Sequence, residues 1–325
     1  MTKNKIAITG GLGLVGKELI RIFSKGNFEI IVIDLKGQLN RNKNFINTYK
    51  NDKINFVECD VNSKKLIKIT KNCKTVIHLA AMLGVENTEK NKSKCWKINA
   101  LGTQNVLNAC KINNINRLIF SSSSEVYGEQ IHRRIKENHP LLGKNIYAKS
   151  KIFSEKIIKL FKKKNKKFHY CNLRLFNTYG AGQVAKFFIS KACYNVKNDK
   201  NIIINGDGNQ IRGYCYASDT AYYIYLCNKN FSQVKNLSLN VGNSKEVYNL
   251  KKIIMIISQI YKKKIKFRFS RKFKNTDRNS SREIYNRICD TKKIVSRLKY
   301  KPKIKIQEGI SKVISQNKIF SNWPN

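Results

Sequence analysis

Proline is nearly absent from this chain, three residues in 325, and glycine stops at 17. Neither a collagen-like repeat nor a Pro/Gly-rich disordered chain fits, and 41% hydrophobic residues are enough for a large core. The nine cysteines (Cys59, Cys73, Cys95, Cys110, Cys171, Cys193, Cys215, Cys227 and Cys289) form no C-x-x-C pair and are odd in number. That excludes a zinc ribbon and a disulfide framework, and it fits a reducing cytoplasm. The four histidines are scattered, so no metal site is expected. No apolar run approaches the roughly 20 residues of a membrane span. The N-terminus leads straight into an apolar run instead of a signal peptide, so a cytoplasmic chain without a membrane partner is expected.

Acidic residues are also scarce, 20 against 65 basic ones, a formal net charge of +45. Such an excess points first to nucleic acid. Only 13 of the 65 cations are Arg, leaving 65 − 13 = 52 Lys, spread from Lys3 to Lys318. Readers of nucleic acid lean on clustered Arg for bidentate contacts. Lys, Asn and Ile in excess with little Pro is instead the mark of adenine- and thymine-rich codons, and no nucleic-acid partner is expected.

What is present is an alternation. Apolar runs at 6–9, 29–35, 54–57, 75–79, 117–121 and 170–175 are separated by stretches long enough for crossover helices, such as 17–24 with Leu19, Ile20 and Phe23 at helical spacing. Near-continuous apolar strands alternating with helices predict an α/β fold, a Rossmann-type doubly wound parallel sheet. The last third mixes short strands (202–204, 237–241) with helices such as 250–261, which predicts a smaller C-terminal substrate-binding lobe. The expected division is 1–175 and 176–325, with about 210–245 interleaved into the first.

The run 6–9 feeds Gly10-Gly11-Leu12-Gly13-Leu14-Val15-Gly16, and a helix follows. Between strand and helix, Gly11-x-Gly13-x-x-Gly16 permits a tight turn and a close approach of backbone to a pyrophosphate at the helix N-terminus. Asp34 ends the second strand, 18 residues after Gly16, where a carboxylate binds ribose hydroxyls; no Arg follows directly to hold a 2′-phosphate, so NAD is preferred over NADP. The alternative for Asp34 is a cap on the next turn. Tyr147 and Lys151 lie four apart, one face of a helix, where an ammonium favours the phenolate of a Tyr acting as base. The run Phe120 to Gly128 places Ser123, Ser124 and Glu125 at the C-terminal edge of a parallel sheet, where ligands bind. Without Tyr147 it would read as a solvated turn.

Together these residues resemble the extended short-chain dehydrogenase/reductase family, in its NAD-dependent nucleotide-sugar epimerase/dehydratase branch. The likeness runs through 9–16, Asp34, 59–61, 76–81, 99–103, 120–128, 147–151 and 173–180. It continues through 206–212 with Asp219, 290–293 and 300–302. It implies that Gly10, Gly13, Leu14, Val15, Gly16, Asp34, Asp60, Val61, Leu79, Ala80, Ala81 and Asn99 surround the cofactor, with Tyr147 and Lys151. It implies that Ser123 binds the sugar hydroxyl, Tyr147 removes its proton and Lys151 holds the nicotinamide ribose. Ser124, Asn177 and Arg212 would hold the nucleotide sugar, assisted by Arg282 or Arg287, and Glu125 would join the catalytic group. A homodimer is expected through helices flanking the site, with Ile152, Phe153, Ile157, Leu160 and Phe161 as core or interface.

The departures bear on reaction type. Sugar 4,6-dehydratases carry an acid where this chain has Ser124, so water elimination is disfavoured. Ser-Glu-Val-Tyr-Gly resembles UDP-glucuronate decarboxylases, whereas 80–88 resembles epimerases. Gly213 stands where Asp is usual, and Ala181 where Pro is usual. The expectation is a 4-epimerase acting by transient C4 oxidation of a UDP-sugar. UDP-glucuronate decarboxylation is the alternative, ahead of a 4,6-dehydratase or a non-catalytic NAD-binding protein.

Overall fold

A computed structural model describes residues 4–129, 134–270 and 284–316. Seven of the apolar runs pair into one sheet: β1 (Lys5–Thr9), β2 (Glu29–Asp34), β3 (Ile54–Glu58), β4 (Thr75–His78), β5 (Arg117–Ser123), β6 (His169–Leu175) and β7 (Leu237–Val241). Their order is β7-β6-β5-β4-β1-β2-β3, and all six pairings are parallel. The order reverses between β1 and β4, so a crevice opens there beyond the strand C-termini.

Both faces of the sheet are covered, which is why the strands read as continuous apolar runs. On one face α1 (Leu14–Phe23) buries Gly16, Leu19, Ile20 and Phe23, the i, i+3, i+4 stripe visible in the sequence. It packs on α5 (Ala217–Lys229), and Phe23 meets Phe28 and Tyr225 edge-on at 4.9 and 5.4 Å. A fully buried ring such as Phe23 contributes roughly 1.5–3 kcal/mol over an exposed one. On the other face α2 (Gly102–Ile112) and α3 (Ile146–Lys164) bring Val106, Leu107 and Ile158 onto Leu118 and Phe120.

A separate core forms around α4 (Phe188–Lys197), the strand Ile202–Asn205 and α6 (Leu250–Tyr261), with Ile189, Ile204, Ile253, Ile257 and Ile310 buried. The segment 237–241 does not stay in that lobe: it becomes β7, parallel to β6 at the sheet edge. All nine thiols are buried and free. Among the described residues no helix is long and apolar enough to cross a membrane, and no cluster of His, Cys, Asp and Glu could hold a metal ion.

Candidate active site

A cleft of about 900 Å³ runs over the C-terminal edge of the sheet, from the turn after β1 to the smaller lobe. At one end lies the glycine turn. Gly10 has φ +69°, and a Cβ there would sit 2.6 Å from the backbone nitrogen of Ala80, so only glycine lets β1 end this close to the residues after β4. A Cβ on Gly16 would sit 2.4 Å from the Gly11 carbonyl oxygen, which fixes the close packing of α1 on the turn. A Cβ on Gly13, which caps α1, would meet only the Gly10 carbonyl oxygen, at 3.3 Å. The first N–H groups of α1 therefore lie toward the cleft, with the positive end of the helix dipole, in an arrangement that takes a phosphate.

Asp34 stands beside this turn. Its carboxylate accepts from the N–H of Leu12 and of Leu35, both at 2.9 Å. Burial pushes its pKa above the ordinary value while those two N–H groups oppose the shift. Gly10, Gly13, Leu14, Val15, Gly16, Asp34, Asp60, Val61, Leu79, Ala80 and Ala81 all line the cleft. This cradle of glycines, helix terminus and strand-end carboxylate fits a dinucleotide. Asp34→Ala is expected to weaken NAD binding roughly 10- to 100-fold, the worth of a charge-assisted hydrogen bond, and to narrow the preference over NADP. Fluorescence titration with both dinucleotides measures it, and unchanged affinities would remove Asp34 from that role.

At the middle of the cleft α3 presents its first turns to the end of β5. Asn145 caps the helix by accepting from Ala148 N–H at 2.8 Å. The Ser123 hydroxyl lies beside the Tyr147 phenol. Lys151, 2% exposed, donates to the Ser121 carbonyl at 2.7 Å and lies over the Phe120 ring at 4.7 Å. Burial drives the Lys151 pKa down from 10.5 to about 7. Burial also raises Tyr147 well above its ordinary value, and Glu125 adds to the rise; the neighbouring Ser123 hydroxyl and the Arg287 charge oppose it. The sequence pattern predicts a phenolate favoured by the neighbouring ammonium. In the structure that ammonium is spent on the Ser121 carbonyl, and desolvation dominates the phenol.

Toward the smaller lobe, Glu125 is buried and ion-paired with Arg287, itself 2% exposed, and accepts from Asn145 at 3.2 Å. Asn177, with φ +23°, donates to the Gly213 carbonyl at 3.3 Å. A Cβ at 213 would lie 2.9 Å from the Asn243 carbonyl oxygen, which explains why this strand has no room for Asp there. Arg212 donates to the carbonyls of Ile211 and Tyr285 at 3.0 and 3.1 Å and lines the cleft.

The cleft thus brings together Ser123, Ser124, Glu125, Tyr147, Lys151, Asn177 and Arg212. Asn99, expected among the cofactor contacts, is not in the lining. It is 1% exposed and clamps the loop after β4, accepting from Met82 N–H at 2.8 Å and donating to its carbonyl at 3.2 Å. Asp60 lines the cleft, but its carboxylate is turned to Asn62. Arg282 lies outside the described residues. Sequence reading missed Lys17, Asn205 and Tyr214, which also line the cleft. The Asn205 and Gln210 amide oxygens and the Tyr214 hydroxyl are buried without a hydrogen-bond partner among the described residues. Gln210 stands inside the 206–212 motif, whereas nothing in the sequence marks Asn205 or Tyr214.

Comparison with known proteins agrees with this layout. The sequence model of the NAD dependent epimerase/dehydratase family matches residues 6–242. A protein of Methanocaldococcus jannaschii, named only provisionally as a UDP-glucose 4-epimerase, is 34% identical over 322 residues, spanning 95% of this chain and 97% of its own. Among solved structures, the UDP-glucuronic acid 4-epimerase from Bacillus cereus, in complex with UDP-glucuronic acid and NAD, superposes with a TM-score of 0.86 at 24% identity, over 95% and 98% of the two chains. The UDP-N-acetylglucosamine 4-epimerase from Methanobrevibacter ruminantium M1 does so with 0.84 at 24%, over 97% and 98%. At that identity the two structures speak to the fold.

Proposed function

The chain belongs to the NAD dependent epimerase/dehydratase family, and from that premise we propose that it is a UDP-sugar 4-epimerase. The observation that carries this reading is the convergence of Ser123, Tyr147 and Lys151 at the end of β5, within one cleft that also holds the glycine turn and Asp34. Bound NAD would supply a hydride acceptor that later returns the hydride to the same sugar, so no net redox occurs.

In this reading Ser123 binds the C4 hydroxyl and Tyr147 takes its proton, then gives it back once the sugar has turned over. Arg212 and Asn177 hold the diphosphate, the guanidinium as a fork-shaped ligand. The Rossmann unit, 1–175 with about 210–245, holds the dinucleotide, and 176–325 mainly the sugar nucleotide. A homodimer is proposed on the same footing: Leu101, Ile112 and Leu160, on or beside the helices flanking the site, are 42%, 54% and 45% exposed.

Two features separate the possible reactions. Position 124 carries a hydroxyl, so no acid stands there to protonate a leaving hydroxide. Glu125 is held on one oxygen by Arg287 and on the other by Asn145, an arrangement that keeps it fixed. The same pair favours one second reading, UDP-glucuronate decarboxylation, because Arg287 would exchange Glu125 for the carboxylate of a uronic acid. Incubation with UDP-glucose, UDP-galactose, UDP-N-acetyl sugars and UDP-glucuronate, followed by NMR of the products, tests the choice. An epimerase gives interconverting 4-epimers and no gas. Consumption of UDP-glucuronate alone, with release of carbon dioxide, overturns the epimerase reading.

A further inference from the structure

Tyr147, Lys151 and Glu155 are spaced four apart on α3, so they occupy one face over three successive turns. Three successive residues of β5 face them. The Ser123 hydroxyl lies beside the Tyr147 phenol, the Ser121 carbonyl accepts from Lys151 at 2.7 Å, and the Ser122 hydroxyl donates to Glu155 Oε1 at 2.6 Å. The third rung is the most elaborate. Parallel register sets Arg174 of β6 beside Ser122, and its guanidinium grips both oxygens of Glu155, Nε to Oε1 at 2.9 Å and Nη2 to Oε2 at 2.8 Å. Arg174 is fixed in turn by the Tyr127 hydroxyl at 2.8 Å and the Glu137 carbonyl at 2.9 Å, and Tyr127 donates to Asn240 of β7 at 2.6 Å. Ser122, Glu155, Arg174 and Tyr127 are all 3% exposed or less.

A buried bidentate pair costs much of its attraction in desolvation, so stability alone is a weak reason for one here. What it provides is register, since Glu155 of α3 is held from two strands at once, by Ser122 of β5 and Arg174 of β6. We infer that Glu155 is a positioning residue: held by Ser122 and Arg174, it sets the axial placement of α3 on β5, and so the meeting of Tyr147 with Ser123 and of Lys151 with Ser121. The inference rests on the reading that Tyr147 and Lys151 serve the proton transfer. A shift of about 1 Å at such a site costs on the order of a hundredfold in rate.

The charged and titratable neighbours of the two groups are few. Glu125, Arg287 and Cys95 face Tyr147, besides the Ser123 hydroxyl. Cys95, Glu155 and the neutral His78 face Lys151, with the Phe120 ring. Among these neighbours the Ser123 hydroxyl favours the phenolate most, and a slipped helix would carry Tyr147 away from it.

The test uses the full chain with its bound NAD and the nucleotide sugar that the wild type consumes. Ser122→Ala removes one rung while leaving the Glu155–Arg174 pair; Glu155→Gln weakens the whole. Three quantities are read: single-turnover reduction of the bound nicotinamide by absorbance, the tyrosinate absorbance as pH rises with Tyr147→Phe as blank, and NAD content per chain. Hydride transfer is expected to fall about tenfold in Ser122→Ala and about a hundredfold in Glu155→Gln. The sugar KM and NAD content are expected to hold, and the tyrosinate signal to move to higher pH. Adding Ser122→Ala to Glu155→Gln should cost little more. Wild-type hydride transfer in a folded Ser122→Ala, or loss tracking melting temperature and NAD content with the tyrosinate titration unmoved, overturns the inference. If Glu155→Gln does not fold, Ser122→Ala still decides. If Tyr147→Phe itself turns over normally, the catalytic reading fails instead.

Discussion

Tyr147→Phe is expected to lower turnover about a thousandfold while leaving bound NAD and the fold intact. The phenol lies beside the Ser123 hydroxyl at the end of β5, and general-base catalysis by one positioned side chain is worth about 10²–10⁴. The neighbouring candidates are committed elsewhere: Lys151 donates to a backbone carbonyl, and Glu125 is gripped by Arg287 and Asn145. Phe fills the same volume, so NAD per chain should match wild type and the melting temperature should not fall. Because burial holds the phenol above its ordinary pKa, turnover in the wild type should rise with pH through the neutral range as more phenolate becomes available. In the variant that rise should vanish. Steady-state rates from pH 6 to 9, with dinucleotide content measured after denaturation, check both; near wild-type turnover would assign the proton to another group.

The parts of this site that the sequence announced are those where backbone and spacing carry the signal. Gly10 and Gly16 are fixed by a turn that a side chain would block, Gly13 and Asp34 by their spacing from it, and Tyr147 and Lys151 by the pitch of one helix. The sheet followed for the same reason, since strands buried on both faces cannot hide their apolar runs. Asn99 was harder. Its motif placed it near the cofactor, but only the fold shows that its amide is spent on Met82 behind the cleft wall. Asn205 ends a strand of four residues and Tyr214 joins two strands of three and two, too short for any periodicity. Ser122 and Arg174 stand in two of the motifs, 120–128 and 173–180, and Glu155 in none; parallel register sets the first two side by side, and α3 lays Glu155 on them.

Lys151→Met is expected to abolish measurable turnover and, at the same time, to stabilise the protein. An ammonium that is 2% exposed and whose pKa is driven from 10.5 to about 7 is held at a cost in the folded state. The unfolded chain binds the proton up to about pH 10.4, the folded chain only to about 7, so between these values the unfolded state carries more protons and stability rises with pH. The penalty is therefore full below pH 7 and fades toward pH 10. Met removes the charge with little change of volume, and what it forfeits is the hydrogen bond to Ser121 and the contact with Phe120. Against a penalty of up to about 5 kcal/mol, losing a bond to a charged donor costs about 2–3. The net gain should be about 2 kcal/mol at pH 6.5, a rise of roughly 4 °C in melting temperature, shrinking to nothing or reversing by pH 10. Thermal unfolding of both proteins at matched NAD content across that range measures it. A variant that melts lower at every pH, or whose gain does not depend on pH, would mean that Lys151 rests in the fold without strain. A gain that fades with pH would show the helix face of Tyr147 and Lys151 shaped for proton transfer against the interest of the fold, as stability–activity trade-offs at working sites require.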